Sequence, residues 1–378
     1  MANIFIRTNI APYRVDTYNA LHEQLGMKMC FYERESKAQK FDIDALEAQC
    51  SFKPVYLKGL TFGSMNRKWC FGLWKMLRNE KPKVVIVPEF QISAMQVLLY
   101  RWLTRKRFKV VSMTDDSYDM IANDNDFTKL HKCLRDHLAK YFDNFIVVTP
   151  QVERWYQEHY GKGVWMPIIM NDKKAGANYD RLLPLSRKYV KQYGLEGKKV
   201  LLFVGRLVEL KNLSRVIEAF GRSSEEATLV IVGDGSEREK LEAQAMEIKK
   251  EVVFTGRFDG DELYAWYNLA DVLILASYQE AFGAVTNEAL LAGCRVIVSE
   301  RAGSSCLVSE ENGQLVNPMD VDDIRAAIDR QIAEAEKPDL NAPRESRMTV
   351  KFEERINNLV NKLNHNGKYQ DPKRETAL

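Results

Sequence analysis

The sequence has few of the features that mark secreted, metal-binding or membrane-spanning proteins. Its six cysteines and five histidines are scattered over 378 residues, which argues against a disulfide framework and a zinc site, and for reduced thiols in a cytoplasm. No apolar run approaches the roughly 18–20 residues that a membrane-spanning helix requires. The first residues, MANIFIRTNIAPYR, lack the basic region, apolar stretch and cleavage site of a secretory signal. We therefore expect a cytoplasmic protein.

Neither sign of charge is in strong excess. Lys plus Arg number 55 and Asp plus Glu 52, which gives a net charge of +3, whereas a dedicated nucleic-acid binder usually carries a larger basic excess. Hydrophobic residues make up 46% and charged residues 28% of the chain, as in soluble globular proteins. The small basic excess therefore predicts no nucleic-acid partner. At roughly 150 residues per domain, the length of the chain predicts two or three domains.

Short apolar runs alternate with longer amphipathic stretches, and runs such as VVIV and FIVV are typical of parallel strands that are covered on both faces. In the first half we predict strands at Asn3–Ile6, Met27–Tyr32, Lys83–Val87, Phe108–Met113 and Asn144–Val148, with helices that include Val15–Leu25, Ile92–Leu103 and Thr128–Tyr141. In the second half we predict strands at Val200–Val204, Thr228–Val232, Val252–Phe254, Val272–Leu275 and Arg295–Val298, with helices at Ser214–Phe220, Ser236–Lys249, Asp261–Leu269, Ala284–Ala292, Val321–Ala335 and Val350–Leu363. Two doubly wound α/β domains therefore follow one another.

The alternation is interrupted once, and this interruption sets the predicted domain boundaries. Residues 171–198 are polar and contain Pro184, so we interpret them as an interdomain connection with one short helix near Leu185–Tyr193. The predicted parts are a Rossmann-like domain at 1–170, this connection, a second Rossmann-like domain at 199–345, and a C-terminal helix and tail at 346–378.

The first chemical motif is LLFVGRLVELKN, from Leu201 to Asn212. A buried-type strand leads into Gly205, where the missing side chain permits close approach of a ligand. Arg206 follows directly and Lys211 lies in the loop before the next helix. A guanidinium fork and an ammonium point charge together suit a diphosphate, although isolated basic residues near loops are commonly only solvated.

The second motif is QEAFGAVTNE, in which Glu280, Phe282 and Gly283 form a polar loop and Glu288 lies on the following helix. Gly283 lets backbone N–H groups approach a ligand at the helix start, where the helix dipole favours phosphate. Glu288 can accept hydrogen bonds from ribose hydroxyls and Glu280 from a sugar. Alternatively, Glu280 is a surface loop residue and Glu288 stabilises the helix dipole.

Taken together, these motifs resemble the large retaining glycosyltransferase family 4. The resemblance includes VGRL with its lysine five residues after the arginine, FTGRF, LADVLILAS, EAFGAVTNE, EALLAGCRVIVSERAG and NGQLVNP, in that order, over roughly residues 199–330. It implies the two-domain GT-B fold, with the domains facing a central cleft and the C-terminal helix crossing back to the N-terminal domain. It also implies transfer of a sugar from a UDP- or GDP-sugar with retention of anomeric configuration, and no obligatory cofactor or metal.

The resemblance assigns roles by position. Arg206 and Lys211 would neutralise the donor diphosphate, Glu280 would contact the transferred sugar, and Glu288 would bind the ribose. The remaining implied donor-binding residues are Gly205, Arg257, Phe258, Ala281, Phe282, Gly283 and Ala284.

The N-terminal half departs from the family pattern at two places. Where many members carry a His after a strand, this chain has Asp115 and Asp116, either of which could bind a sugar hydroxyl or act as a base, unless they only cap a turn. Where a Gly-containing loop is common, this chain has Pro12, Tyr13 and Arg14, which we predict to contact the acceptor, although a proline-initiated helix start explains the same letters.

Two stretches combine aromatic and basic residues. As a helix, Asn66–Lys81 would place Trp69, Leu73, Met76 and Leu77 on one face, and a second cluster follows in LLYRWLTRKRFK, residues 98–109. Such stretches suit weak docking on an anionic membrane surface, or they bury an ordinary apolar helix face. The predicted partners are thus a nucleotide-sugar donor, a saccharide or lipid-linked saccharide acceptor and the inner face of the cell membrane.

Three alternatives remain open. An NDP-sugar epimerase on the same fold would act without an acceptor, and a phosphorylase would need pyridoxal phosphate on a lysine. A catalytically idle GT-B protein would only bind saccharide, and it would not need Arg206, Lys211, Glu280 and Glu288 together. A dehydrogenase is disfavoured because VGDGSE, the nearest match to a dinucleotide-binding motif, lacks the third glycine.

Overall fold

The computed structural model describes residues 2–34, 42–62, 67–122 and 129–364. The chain folds into two compact units. The first contains the described residues up to 116, those of 120–167 and those from 353 onward, and the second contains 117–119 and 168–352. No helix within the described ranges combines the length and apolarity needed to cross a membrane.

The first unit contains a seven-stranded sheet and a separate two-stranded antiparallel hairpin. In chain order its strands are β1 (Asn3–Arg7), β2 (Met27–Phe31), β3 (Val55–Tyr56), β4 (Gly59–Phe62), β5 (Arg67–Cys70), β6 (Val84–Pro88), β7 (Lys109–Met113), β8 (Asn144–Val147) and β9 (Val164–Trp165). Its helices up to residue 167 are α1 (Val15–Leu25), α2 (Ile43–Ala48), α3 (Leu73–Glu80), α4 (Ile92–Thr104), α5 (Tyr118–Ala122, of which only 120–122 belong to this unit), α6 (Lys129–Leu138) and α7 (Pro150–Tyr160).

The seven strands run parallel in the order β3-β2-β1-β6-β7-β8-β9, and β4 pairs with β5. All five residues of β6 are buried, because helices cover both faces of a doubly wound parallel sheet. The strand order reverses between β1 and β6, and in such sheets this reversal opens a crevice at the carboxyl ends of the strands.

The second unit repeats this plan with a six-stranded parallel sheet in the order β12-β11-β10-β13-β14-β15. Its strands are β10 (Val200–Val204), β11 (Thr228–Val232), β12 (Val252–Gly256), β13 (Val272–Leu275), β14 (Arg295–Ser299) and β15 (Gly313–Val316). Its helices are α8 (Asp172–Arg181), α9 (Leu183–Gln192), α10 (Leu213–Arg222), α11 (Arg238–Met246), α12 (Gly260–Leu269), α13 (Ala284–Leu291) and α14 (Val321–Glu334). Here the order reverses between β10 and β13.

The last helix, α15 (Phe352–Asn364), returns to the first unit after the second sheet is complete. The Lys109 ammonium donates to the Leu363 carbonyl at 2.9 Å, and the Arg355 guanidinium lies 4.8 Å from the centre of the Trp165 ring. The predicted return of the C-terminal helix to the N-terminal domain is thus confirmed, as are the two Rossmann-like sheets.

Residues 171–198 contain one helix more than the prediction had. The short helix predicted near Leu185–Tyr193 is confirmed as α9, whereas α8 was missed. Asn171 caps α8 by accepting from the amides of Lys173 and Lys174, and Pro184 lies in the first turn of α9, where the missing N–H costs nothing. The sequence is polar because these helices expose one face, not because the chain is irregular.

The prediction of one helix over Asn66–Lys81 was wrong. Asn66 lies outside the described residues, Trp69 belongs to β5, and α3 begins only after Gly72, whose φ of 73° is in the left-handed region. Leu73 and Leu77 are fully buried in the core. The helical spacing of apolar residues was therefore a coincidence of a strand followed by a short helix. Thr128, the start of another predicted helix, also lies outside the described residues.

Candidate functional site

The loop after β10 carries Gly205 and Arg206 and is supported by the neighbouring loop after β11. The Gly205 amide donates to the Val232 carbonyl at 3.0 Å, and the Leu207 amide donates to the Asp234 carbonyl at 2.9 Å. A Cβ on Gly233 would lie only 1.8 Å from the Gly205 carbonyl oxygen, so this position requires glycine. The VGDG stretch lacks the third glycine of a dinucleotide-binding motif. Here it shapes the loop that carries Arg206.

Arg206 is exposed, and among the residues that the structure describes no carboxylate lies within ion-pair distance of it. Lys211, five residues later, differs because its ammonium pairs with the Glu280 carboxylate. Both side chains of this pair are mostly buried. The structure therefore brings Lys211 and Glu280 together at the carboxyl ends of β10 and β13, where the strand order reverses.

Backbone contacts hold these two loops against each other. The Tyr278 amide donates to the Leu210 carbonyl at 2.9 Å. The buried Asn212 amide group donates to the Ala276 carbonyl at 2.9 Å. Because Asn212 also has a φ of 58°, which asparagine tolerates better than most residues, it turns the chain from the Lys211 loop directly into α10.

The loop from Glu280 to Gly283 is braced by the segment after β14. The Gly303 amide donates to the Glu280 carbonyl at 3.1 Å, and the Ser304 amide donates to the Phe282 carbonyl at 2.6 Å. A Cβ on Gly303 would approach the Ala281 carbonyl to 2.2 Å. Gly283 has a φ of 91° and precedes Ala284, the first residue of α13. The ERAG motif thus fixes the loop that leads into the start of this helix.

Glu288 is buried in the second turn of α13 and accepts a hydrogen bond from the Tyr267 hydroxyl at 2.6 Å. Burial raises the pKa of Glu288, and the Tyr267 hydrogen bond lowers it by less. The Tyr179 hydroxyl donates to the Glu288 carbonyl at 2.8 Å. Within the described residues the second carboxylate oxygen of Glu288 has no donor, so it can accept one from a ligand.

Arg257 and Phe258 follow β12, at a different place from the Lys211–Glu280 pair. Arg257 forms an ion pair of 3.0 Å with Asp259. Phe258 packs between aromatic rings, with centroids 5.6 Å from Tyr189 and 5.9 Å from Trp266. The Phe258 side chain therefore serves the packing of the unit, which leaves backbone atoms for the predicted donor contact.

In the first unit, Asp115 lies between two arginines. Arg7, the last residue of β1, and Arg14 each place an Nη2 atom 2.5 Å from one Asp115 carboxylate oxygen. Burial alone would raise the pKa of Asp115, but Arg14 and Arg7 together hold it below its ordinary value. Asp115 is therefore an ionised anchor for both guanidinium groups.

Asp116 behaves differently from its neighbour. It is buried, and burial followed by the proximity of Glu89 and Asp115 raises its pKa well above the ordinary value. Glu89, directly after β6, has a φ of 32°, which few non-glycine residues adopt. Burial, and then Asp115, raises the pKa of Glu89 to about 7. The surroundings thus shift the pKa values of the two adjacent aspartates in opposite directions.

Arg7, Arg14, Glu89 and Asp115 help to line a cavity of about 260 Å³ within the first unit. Tyr13 and Arg14 line it from the short 3-10 helix Pro12–Arg14, and Arg7, Glu89 and Asp115 from the ends of β1, β6 and β7. Sequence reasoning missed Arg7 and Glu89. The available signal was their position, because each directly follows or ends a buried strand, IFIR and VVIVP.

Comparison with known proteins identifies the fold of the chain and a family resemblance of one segment. The chain superposes on the lipopolysaccharide outer core galactosyltransferase WaaB with a TM-score of 0.68 at 18% identity, covering 96% of this chain and 99% of that one. It superposes on Anabaena HepE in complex with UDP with a TM-score of 0.67 at 15% identity, covering 88% and 90%. The protein therefore has the GT-B fold.

Residues 186–344 match the family model of group 1 glycosyl transferases. A GDP-mannose-dependent alpha-mannosyltransferase of Mycobacterium tuberculosis is 34% identical over 146 residues, which is 38% of this chain and 37% of that protein. The chain thus matches little more than a third of this curated relative. The predicted resemblance to glycosyltransferases is confirmed for this segment at the level of group 1, while retention and membership of family 4 stay predictions.

Proposed function

We propose that the protein is a glycosyltransferase that moves a sugar from a nucleoside-diphosphate sugar to a saccharide or lipid-linked saccharide. The observation that carries this proposal is the pairing of Lys211 with Glu280 at the strand-order reversal of the group 1 domain. There the Lys211 ammonium, which can bind phosphate, lies beside the Glu280 carboxylate, which can bind sugar hydroxyls.

The donor contacts follow from the positions of the side chains. Exposed Arg206 and the Lys211 ammonium bind the diphosphate, assisted by the start of α13 beyond Gly283. Glu280 holds the sugar hydroxyls, and Glu288 accepts from the ribose through its second oxygen. The backbone at Arg257 and Phe258 borders the base.

The chemistry follows from where charge develops. Breaking the sugar–phosphate bond leaves negative charge on the diphosphate, and Arg206 and Lys211 stabilise that charge more in the transition state than in the ground state. The acceptor hydroxyl attacks from the face of the leaving phosphate, which takes its proton, so the anomeric configuration is retained. Arg206 and Lys211 supply the positive charge that offsets the negative charge of the leaving diphosphate, and no obligatory metal or cofactor is required.

The donor nucleotide is UDP or GDP. One relative is named for its dependence on GDP-mannose, and one structural neighbour is in complex with UDP. The acceptor binds in the first unit near Pro12, Tyr13, Arg14 and Asp115, and the product enters a cell-surface polysaccharide or glycoconjugate. The neighbouring galactosyltransferase of the lipopolysaccharide core supports that setting.

Weak docking on the inner face of the cell membrane is part of this proposal. Large apolar side chains are exposed along β4, β5, α3 and α4 of the first unit, namely Leu60, Phe62, Trp69, Phe71, Trp74, Leu99, Trp102 and Leu103. Gln96 joins β5 to α4 through hydrogen bonds with Cys70, and the Trp74 indole donates to the Gln96 carbonyl. We call the eight exposed apolar side chains named above, from Leu60 to Leu103, the aromatic surface. Exposed Lys75, Arg78, Arg105 and Arg107 lie on α3 and just after α4, as expected for an anionic bilayer.

A thermal-shift panel tests the donor proposal. A nucleotide that binds only the folded state raises the melting temperature by mass action, so UDP or GDP and the corresponding sugars should raise it, and adenine nucleotides should not. Absence of any shift would refute donor binding. Conversion of the sugar to its epimer without acceptor would favour the epimerase, and an inverted product anomer would exclude the retaining mechanism.

A further inference from the structure

The cavity of the first unit has an unusual balance of charge. It lies at the ends of β1, β6 and β7, beside the strand-order reversal, and its lining includes Arg7, Tyr13, Arg14, Glu89, Gln91 and Asp115. Its volume of about 260 Å³ is just below the range of about 300–1,000 Å³ usual for small-molecule sites. It therefore accommodates one sugar unit rather than an oligosaccharide.

Arg14 is the most informative residue in this lining. Its side chain is 1% exposed, and its Nε and Nη1 atoms are buried without a hydrogen-bond partner among the residues that the structure describes. The Asp115 carboxylate is shared between Arg14 and Arg7. A buried guanidinium is costly unless an anion and further hydrogen bonds satisfy it, so one carboxylate for two such groups leaves a deficit of negative charge.

Two further carboxyl groups lie close enough to act on this deficit. Burial, and then Glu89 and Asp115, raise the pKa of Asp116 well above its ordinary value, which makes it a poor counter-ion. Glu89, with a pKa of about 7, is the remaining counter-ion for Arg7. The groups that act on Glu89 are Arg7 of β1, Asp115 and Asp116 after β7, and Tyr156 of α7.

We propose that this cavity binds an oxyanion carried by the acceptor sugar, a phosphate or a carboxylate, beside Arg7 and Arg14, and that Glu89 takes up a proton from solvent when the oxyanion binds. The incoming anion replaces Glu89 as the counter-ion of the guanidinium pair, and two carboxylates at that point would repel each other. The Gln91 side-chain oxygen, which is buried at the cavity and has no donor within the described part of the chain, accepts from a sugar hydroxyl. That the bound sugar is an acceptor rests on the proposed function, whereas the binding of an oxyanion does not depend on it.

Isothermal titration calorimetry of the full chain tests the inference. The probes are glucose 6-phosphate, glucuronate, inorganic phosphate and glucose, titrated in buffers of different ionisation enthalpy. Binding of glucose 6-phosphate or glucuronate but not of glucose is expected, and which one binds identifies the oxyanion. Binding of inorganic phosphate alone would contradict a site for a sugar. For glucuronate, whose charge is constant over this range, affinity should fall about tenfold between pH 6 and pH 8, because one group with a pKa of about 7 must be protonated.

Two variants and one control make the test specific. Glu89→Gln should keep binding but lose the proton uptake and the pH dependence, whereas Arg14→Gln should weaken binding at least tenfold. Arg154→Gln, an exposed arginine on α7, should change nothing. Equal binding of charged and neutral sugars, or unchanged proton uptake in Glu89→Gln, would overturn the inference.

The nucleotide panel separates this inference from the proposed function. If UDP or GDP raises the melting temperature and no charged sugar binds, the inference fails and the donor proposal stands. If charged sugars bind and no nucleotide does, the oxyanion site stands and the transferase proposal fails.

Discussion

The Lys211 ammonium forms an ion pair with the Glu280 carboxylate although 69 residues separate them. Each lies in the loop that follows a central strand of the second sheet, on either side of the point where the strand order reverses. The pair holds a mobile lysine in place before any donor binds, since a part-buried ammonium is stabilised by an adjacent carboxylate. A diphosphate would meet a cation that is already positioned.

Replacing the lysine should abolish most of the catalysis. Lys211→Gln removes a charge that stabilises the leaving diphosphate, so the transfer rate should fall by about 10²–10³, as for the loss of one transition-state contact. Sugar transfer from the donor identified by the thermal-shift panel measures this. Arg222→Gln, which breaks an exposed ion pair with Glu218 on α10, is the matched control. A Lys211→Gln rate equal to that of the control would contradict the assignment.

Gly233 should tolerate no side chain. Gly233→Ala would force its Cβ against the Gly205 carbonyl, so the loop that carries Arg206 must shift, and both the melting temperature and nucleotide binding should fall. Gly176→Ala is the control, because this glycine lies in α8 with open space around it and alanine should stabilise the helix by up to about 1 kcal/mol. Equal melting temperatures for the two variants would contradict the close approach.

Glu89 predicts a pH-dependent stability. Its folded pKa of about 7 lies above the ordinary 4.5, so its contribution is fully present below pH 4.5 and is lost as the pH rises through 7. At about 1.4 kcal/mol per unit, the loss is at most about 3–4 kcal/mol. Glu89→Gln should therefore equal the wild type in free energy of unfolding near pH 4.5 and exceed it at pH 8. Denaturant titrations measure this, with exposed Glu158→Gln as the control, and a constant difference across pH would refute the shift.

The aromatic surface predicts binding to anionic vesicles. Replacing Trp102, which is 64% exposed, and Leu103 by serine should reduce co-sedimentation with phosphatidylserine vesicles at low salt, because each apolar side chain buried in the interface contributes to binding. Unfolding should change little, since both side chains are already in water. Met246→Ser, at an 85% exposed position in the second unit, is the control. Wild-type protein that fails to bind the vesicles would refute the surface assignment.

Much of the fold was predictable from sequence because parallel strands that are buried on both faces consist of consecutive apolar residues. The strands Val200–Val204, Thr228–Val232 and Val272–Leu275 have the predicted bounds. Edge strands such as β3 and β9, with two residues each, leave no such pattern. Likewise the helical spacing in 66–81 and the polar composition of 171–198 were misleading, because neighbouring elements rather than local pattern decide which faces are buried.

The sequence by itself predicted the segment that matches group 1 glycosyl transferases and four candidate donor contacts. This was possible because Arg206, Lys211, Glu280 and Glu288 follow local strand–loop–helix patterns that can be recognised without knowledge of distant contacts. Only the tertiary structure decided how these residues are used together. It paired Lys211 with Glu280 and Glu288 with Tyr267, and it placed Arg7, Arg14, Glu89 and Asp115 around one cavity. The reason is physical: charge state and pairing depend on burial and on neighbours from separate strands, and the linear order of residues specifies neither.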